Sequence, residues 1–331
     1  MDESKAKQNG KQSSESPERK AEQKKSRGKK VFSRLTKIVA GFVVVSLTAT
    51  EAMMFILFGR TTPASNAPFP IARWAERNNY AWRSFDFMSG RNRLKGYVVS
   101  GINPKALIVL VHGIKASSDE LEPLVRRFVQ EGYAVLTFDG TACGRSEGER
   151  TVGLQQQSYD LRAVLDYVCE QGIYRELPLV LFGHSAGAYG VAVQTGQVHP
   201  CAAICVSGFE SPLNTMRFWA DHYAGALTQI EYPFLWFREH AAKGRDANLS
   251  GSQAILKSNV PTLVVHGVKD DVVQMEISLY DALRGCGNSN VRCILVEDLR
   301  HSGHSDILIS DGEVNPSLFD EISRFLESNI S

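Results

Sequence analysis

A serine set between two glycines stands in the segment LVLFGHSAGA, where Gly183-His184-Ser185-Ala186-Gly187 follows an apolar run and precedes an Ala-rich stretch. The spacing G-x-S-x-G between a strand and a helix is that of a nucleophile elbow. A hydroxyl attacks a carbonyl efficiently only when a base takes its proton and nearby donors hold the oxyanion that forms. A tight bend serves both needs. It lifts the Ser185 oxygen above the sheet edge and points the first amides of the next helix at the reacting atoms. Gly183 and Gly187 flank it because side chains there would collide with neighbouring backbone. The histidines His184, His199, His222, His240 and His266 lack metal-ligand spacing, and no dinucleotide or phosphate loop occurs, so no cofactor and no metal are expected.

Such a bend needs a sheet to carry it. Short β-rich runs occur at WRSFDFM, RLKGYVVS, ALIVLVHG, YAVLTFD, PLVLFG, AAICVSG, PTLVVHG and RCILVED. The first two alternate apolar with polar, as a half-solvated antiparallel pair would. From Leu107 onward the runs are continuously apolar, which predicts parallel strands covered on both faces. Helical patterns fall between them. Ser117 and Glu120 form a capping box before Leu121, Leu124, Val125, Phe128 and Val129; Leu161, Val164, Leu165 and Val168 mark another helix, ending near Gly172. A last helix opens with Asn315 and Pro316 and carries Leu318, Phe319, Ile322, Phe325 and Leu326. Strand–helix alternation of this kind predicts an α/β fold, a mostly parallel sheet of about eight strands with helices on both faces. Residues from about 210 to 253 break the rhythm: they are aromatic-rich and lack a β run. Two extra core helices would account for them, as would a helical cap over a substrate pocket; the cap is expected, because the segment lies between strands that lead into catalytic signals.

With the elbow in this context, the chain resembles the α/β-hydrolase superfamily, in its branch of monoacylglycerol lipase-like, carboxylesterase-like and serine aminopeptidase-like enzymes. Four motifs, in family order, carry the resemblance over roughly Ala81 to Ser331. In LIVLVHGIKASS, the resemblance implies that the backbone amide of Ile114 joins that of Ala186 as oxyanion hole, with His112 a structural turn residue. FDGTACGRSEG resembles the loop Asp-x-x-Gly-x-Gly-x-Ser, with Cys143 read as taking the place of the first of its glycines and with Asp139 and Ser146 structural. In PTLVVHGVKDDVV the family's acid maps to Asp270, with Asp271 the alternative. In VEDLRHSGHSDIL the family's base maps to His304 rather than His301. The order Ser, Asp, His is that of the fold. The function implied is hydrolysis of a small-molecule acyl ester or lysolipid through an acyl-enzyme on Ser185. An aminopeptidase-type activity is the alternative, and would need an acid such as Glu210, Asp221, Glu231 or Glu239 to hold the substrate amine. A non-catalytic binding module of the same fold is a further alternative, which a complete set of Ser185, Asp270 and His304 disfavours.

The N-terminal segment has a different character. Net charge over the 331 residues is +1, but residues 1–37 hold twelve Lys or Arg against five acids. Lacking the aromatics of a nucleic-acid surface, that stretch predicts a disordered tail and no nucleic-acid partner. Residues 38–59 then predict a single transmembrane anchor in a lipid bilayer. Glu51 weakens it, by on the order of 3 kcal/mol for a charge at mid-membrane. The long basic leader and the absence of an Ala-x-Ala site favour an anchor over a cleaved signal peptide. The Lys and Arg excess before it places the N-terminus in the cytoplasm and the remainder beyond the membrane. A linker over 60–73 would join the anchor to the domain 74–331. The six cysteines read mainly as small hydrophobes; Cys286 and Cys293, around a turn, form the one plausible bridge.

Overall fold

Strands rich in Val, Ile and Leu bury both their faces only when helices cover the sheet on each side, and this arrangement organises the chain. The computed structural model describes residues 17–60, 69–298 and 300–330. In chain order the helices are α1 (Pro17–Phe58), α2 (Ile71–Arg77), α3 (Glu122–Gln130), α4 (Gln156–Glu170), α5 (Ala186–Val198), α6 (Pro212–Ala224), α7 (Leu227–Lys243), α8 (Gly251–Ser258), α9 (Leu279–Leu283) and α10 (Pro316–Asn329). The strands are β1 (Ala81–Ser89), β2 (Asn92–Ser100), β3 (Leu107–Val111), β4 (Ala134–Asp139), β5 (Leu179–His184), β6 (Ala202–Val206), β7 (Thr262–Gly267) and β8 (Val291–Val296), with a small ribbon of β9 (Ile309–Ser310) and β10 (Glu313–Val314).

The eight-stranded sheet runs β1-β2-β4-β3-β5-β6-β7-β8. β1 and β2 are antiparallel to each other and β2 is antiparallel to β4, whereas the pairings from β4 to β8 are parallel. Alternation along β3 divides the core. Ile108 and Leu110 pack with α3 and α10; Leu107, Val109 and Val111 pack with α4 and α5. Every residue of β3, β4, β6 and β7 is buried. β8 departs from that expectation and stays half-covered, because it forms the sheet edge with β7 as its neighbour in the sheet. The Asn315 side chain accepts from Leu318 N at the start of α10, as its cap position predicts. All six cysteines are free.

Two compact units divide the chain, one up to Thr50 and one from Glu51 to Ser331. α1 is long and apolar enough to cross a membrane, by length and composition. It also begins at Pro17, well inside the stretch expected to be a disordered tail. Lys, Arg, Gln and Glu are good helix formers, and a helix nucleated by the apolar segment extends cheaply into them. Residues 1–16 of that tail lie outside the described residues, as do 61–68 of the expected linker. The division between the compact units falls between Thr50 and Glu51, and α2 starts at Ile71. Met54 and Phe58 are buried with Tyr189, Leu213 and Leu235; Phe69 stacks on Tyr97, and α2 packs into the core. A further departure concerns the loop after β4. The left-handed backbone there falls on Ala142 (φ 62°) and Gly144 (φ 45°), so Ala142, not Cys143, stands where the motif has its first glycine.

That loop is tied down by Asp139 at the end of β4, which is fully buried. Its carboxylate accepts from Ser118 N (2.9 Å), Ser118 Oγ (2.6 Å), Arg145 N (2.9 Å) and Tyr97 Oη (3.2 Å). Removing an acceptor that serves several buried donors costs far more than one exposed hydrogen bond. Asp139→Ala is expected to destabilise the folded unit by on the order of 3–5 kcal/mol, read as a lower midpoint in urea unfolding.

Candidate active site

Ser185 takes the turn between β5 and α5 with φ 57° and ψ −121°, a backbone state that costs a non-glycine residue energy. Close approach on either side makes the bend possible. A Cβ on Gly183 would come within 2.3 Å of the Gly187 carbonyl oxygen, and one on Gly187 within 2.2 Å of that of Val111. Neither position admits a side chain. Ser185 N donates to Val206 O at 2.9 Å, which holds the bend against the end of β6.

The loop after β8 reaches back over this bend. His304 Nε2 lies 2.9 Å from Ser185 Oγ, and His304 Nδ1 lies 2.8 and 2.9 Å from the two carboxylate oxygens of Asp270. Asp270 follows β7 and also accepts from the amides of Val272 (3.1 Å) and Val273 (2.8 Å). Burial alone raises the pKa of this carboxylate; the hydrogen bond and charge of His304, with the Val273 amide, outweigh it and leave the group below its usual value. The carboxylate is thus ionised at neutral pH, and Nδ1 of His304 carries the proton it accepts. That tautomer leaves Nε2 free to accept from Ser185 Oγ. The alternatives lie elsewhere: Asp271 is exposed, and His301 Nδ1 is 3.2 Å from Asp306 O.

Four expected site residues therefore meet on four loops at the carboxyl ends of parallel strands: Ser185, Asp270, His304 and, lining the same cavity of about 490 Å³, Ile114. Ala186 lines it too and is the first residue of α5, whose first four amides have no partner within the helix. The cavity walls are largely apolar, with Leu121, Leu154, Phe209, Trp219, Val273 and Leu308 among them. Trp219 comes from α6, within the expected cap. Glu210, Asp221, Glu231 and Glu239 are not in the lining. Glu210 instead accepts from Ser250 and Ser252 at the start of α8, and Asp221 pairs with Arg217. Glu239 is buried between Arg238 and Lys243. His112 is spoken for at both ring nitrogens: Nε2 accepts from Gly140 N (2.9 Å) and Nδ1 donates to Gly113 O (2.6 Å).

One participant was not foreseen. His184, the variable residue of the elbow, donates from Nε2 to the main-chain oxygen of His304 at 2.8 Å, and the two rings lie 4.9 Å apart. It props the loop that carries the imidazole. No local pattern reveals this, because the partner is 120 residues away. Another is Asp160, buried without exposure, which accepts from Ser89 Oγ, Thr141 N and Gln156 Nε2 and ties α4 to the sheet below the site.

Comparison with known proteins agrees with this architecture. The family model described as serine aminopeptidase, S33, matches residues 102–243. A bifunctional esterase/perhydrolase of Acinetobacter calcoaceticus is 26% identical over 219 residues, which is 52% of this chain and 77% of that protein. A monoglyceride lipase of Homo sapiens is 37% identical over 98 residues, 29% of this chain and 32% of that one. Among solved structures, an esterase of Pyrococcus furiosus superposes with TM-score 0.61 at 19% identity, covering 82% of this chain and 99% of the other. The acylaminoacyl peptidase of Pyrococcus horikoshii gives TM-score 0.56 at 16% identity, over 76% of this chain and 42% of the other. The chain has the α/β-hydrolase fold, and the family model and the two relatives support a place in the α/β-hydrolase superfamily.

Burial first, then the nearby His304 charge, lowers the pKa of His184 from the ordinary 6.5 to about 4. Between these values the unfolded chain binds a proton that the folded chain does not. The stability so contributed is present above about pH 6.5 and is lost as pH falls towards 4. Urea midpoints should therefore drop between pH 7 and pH 5, and His184→Gln should flatten that drop. His184→Ala, which removes the prop, should lower kcat about tenfold with KM little changed.

Proposed function

We propose that the chain is a membrane-anchored serine hydrolase that cleaves a carboxylic ester of an acyl or lysolipid-like substrate through an acyl-enzyme on Ser185. The observation that carries this reading is the unbroken line of hydrogen bonds from Ser185 Oγ through His304 to Asp270 beside an apolar cavity. In the reaction His304 Nε2 takes the proton from Ser185 Oγ as that oxygen attacks the ester carbonyl. Asp270 holds the ring in place and stabilises its positive charge. The amides of Ile114 and Ala186 donate to the oxyanion, each worth about 3–4 kcal/mol by analogy with measured cases. Collapse of the tetrahedral intermediate expels the alcohol, protonated by His304. Water, deprotonated by the same ring, then releases the acid.

Three features support an ester over a peptide substrate. The cavity walls suit an acyl chain, and the acids expected to hold a substrate amine are engaged elsewhere or stand outside the lining. Two relatives similar in sequence carry names that state esterase or monoglyceride lipase activity. The α6–α7 insertion between β6 and β7 is read as a cap, since Trp219 supplies part of the cavity wall. For anchoring, the support is the length and hydropathy of α1 and the basic residues before its apolar part. By the positive-inside rule those charges support an orientation with the N-terminus in the cytoplasm and the hydrolase unit on the other side of a cell membrane.

Ser185→Ala is expected to lower kcat by about 10⁴-fold or more and to abolish fluorophosphonate labelling, with Asp270→Asn losing about 10⁴-fold through the wrong imidazole tautomer. Esterase activity retained by Ser185→Ala would sink the assignment. Acyl esters should be cleaved faster than aminoacyl-anilides when both are assayed on one preparation; the reverse order would replace the ester reading with a peptidase.

A further inference from the structure

The folded unit begins inside the apolar stretch. Glu51, its first residue, accepts from Arg238 Nε at 3.0 Å and pairs with Arg150 at 3.4 Å. Met54 and Phe58 are only 1% and 2% exposed, packed among residues of the same unit. Gly59 and Arg60 bond along the segment 149–151. The apolar helix outside this unit is therefore residues 38–50, about 13 residues, or roughly 20 Å at 1.5 Å each. The hydrocarbon core of a bilayer is about 30 Å thick. If this helix crosses a bilayer, residues 51–58 must lie within the membrane as well, together with the part of the folded unit that surrounds them.

The surface around Glu51 has the composition for that. On α1, Phe55, Ile56 and Leu57 are exposed even though Met54 and Phe58 are covered. On α7, held to Glu51 through Arg238, the exposed Leu227, Ile230 and Phe237 fall at i, i+3 and i+10 on one helical face. Thr228, Leu235 and Glu239 face the other way and are buried. Exposed Tyr223 and Trp236 add the amphipathic aromatics typical of the headgroup region. The charges nearby are paired: Arg238 bridges Glu51 and Glu239, Glu239 also holds Lys243, and Arg150 pairs with Glu51, three cations around two carboxylates. Paired charges are what a region next to hydrocarbon requires. Apolar exposure on this scale marks an interaction surface. Trp219, one turn before Tyr223 on α6, lines the catalytic cavity, so one helix serves both.

We propose that the α6–α7 face is a lipid-docking surface, on which the hydrolase unit rests partly sunk in the bilayer that α1 enters. The inference rests on the anchored reading above. It makes the substrate a membrane-dissolved ester, which passes to the cavity without crossing water.

The full chain in phosphatidylcholine vesicles tests it. In a Cys169→Ser, Cys286→Ser background, a fluorophore is placed on Ile230→Cys or Phe237→Cys, with Ile102→Cys, 93% exposed, as control. Lipid-attached nitroxide should quench the labels at 230 and 237 and leave the label at 102 untouched. The triple variant Leu227→Glu, Ile230→Glu, Phe237→Glu should cleave a vesicle-dissolved monoacylglycerol at least about tenfold more slowly. It should hydrolyse a water-soluble butyrate ester within about twofold of the parent rate. Absence of quenching at 230 and 237 in chains that resist carbonate extraction overturns the docking surface alone, as does an unchanged rate on the vesicle ester. Label-to-label cross-linking at 230 without lipid quenching assigns the face to a second copy and also overturns it. Release of the chain by carbonate removes the anchor and the proposal with it. Loss of fluorophosphonate labelling in the parent chain would reject the hydrolase reading, whatever the quenching shows.

Discussion

The backbone of Ser185 is held in a conformation it would not choose, and the other parts of the site are arranged around that fact. A positive φ at a residue with a Cβ persists only where its surroundings over-determine it. Here β5 is fixed between β3 and β6, Ser185 N is bonded to Val206 O, and Gly183 and Gly187 let backbone pass within contact of backbone. The reward is a hydroxyl standing clear of the sheet, at the N-terminus of α5, where a returning imidazole can meet it. Asp270 and His304 leave the sheet at β7 and β8, on the same carboxyl edge, which is where open α/β sheets collect their chemistry.

Four buried carboxylates of the folded unit follow one rule: each has specific partners. Asp270 has His304 and two amides; Asp139 has Arg145, Ser118 and Tyr97; Glu239 has Arg238 and Lys243; Asp160 has only neutral donors. Their uses differ. In the proposed mechanism the first pair holds the imidazole that passes protons. The others fasten loops and helices whose positions the first pair requires. His184 belongs to both groups, since a buried neutral ring that props a carbonyl keeps the His304 loop in register without adding a competing charge.

The last residues of the N-terminal helix belong to the folded unit. Glu51, which looks like a defect in an apolar stretch, becomes the residue that fastens the helix end to Arg238 and Arg150. A short paired network thus links the last two turns of α1 to α7, and α7 with α6 forms the insertion between β6 and β7. The proposed docking face, part of the cavity wall and the insertion share two adjacent helices.

Much of this was legible in the linear chain. Continuous apolar runs announced the buried parallel strands and two glycines around Ser185 announced the bend, because these signals are local. The pair β1–β2 is antiparallel as expected, but only the edge strand β1 is solvated, since β2 lies between β1 and β4 with residues 96–100 buried. Motif spacing also pointed to Asp270, His304 and Ile114. Other matters required the fold. Asp271 and His301 carry the same chemistry as their rivals and are separated from them by a rotation of the chain, which only packing fixes. The left-handed turn at Ala142, the prop from His184 and the partners of Glu51 depend on residues far apart in sequence, and no local pattern encodes a distance across space. The helical state of residues 17–37 likewise escaped a reading by hydrophobicity, since helix extension needs good helix formers and a nucleus, not an apolar face. Sequence determined which groups were available; tertiary structure decided which of them touch.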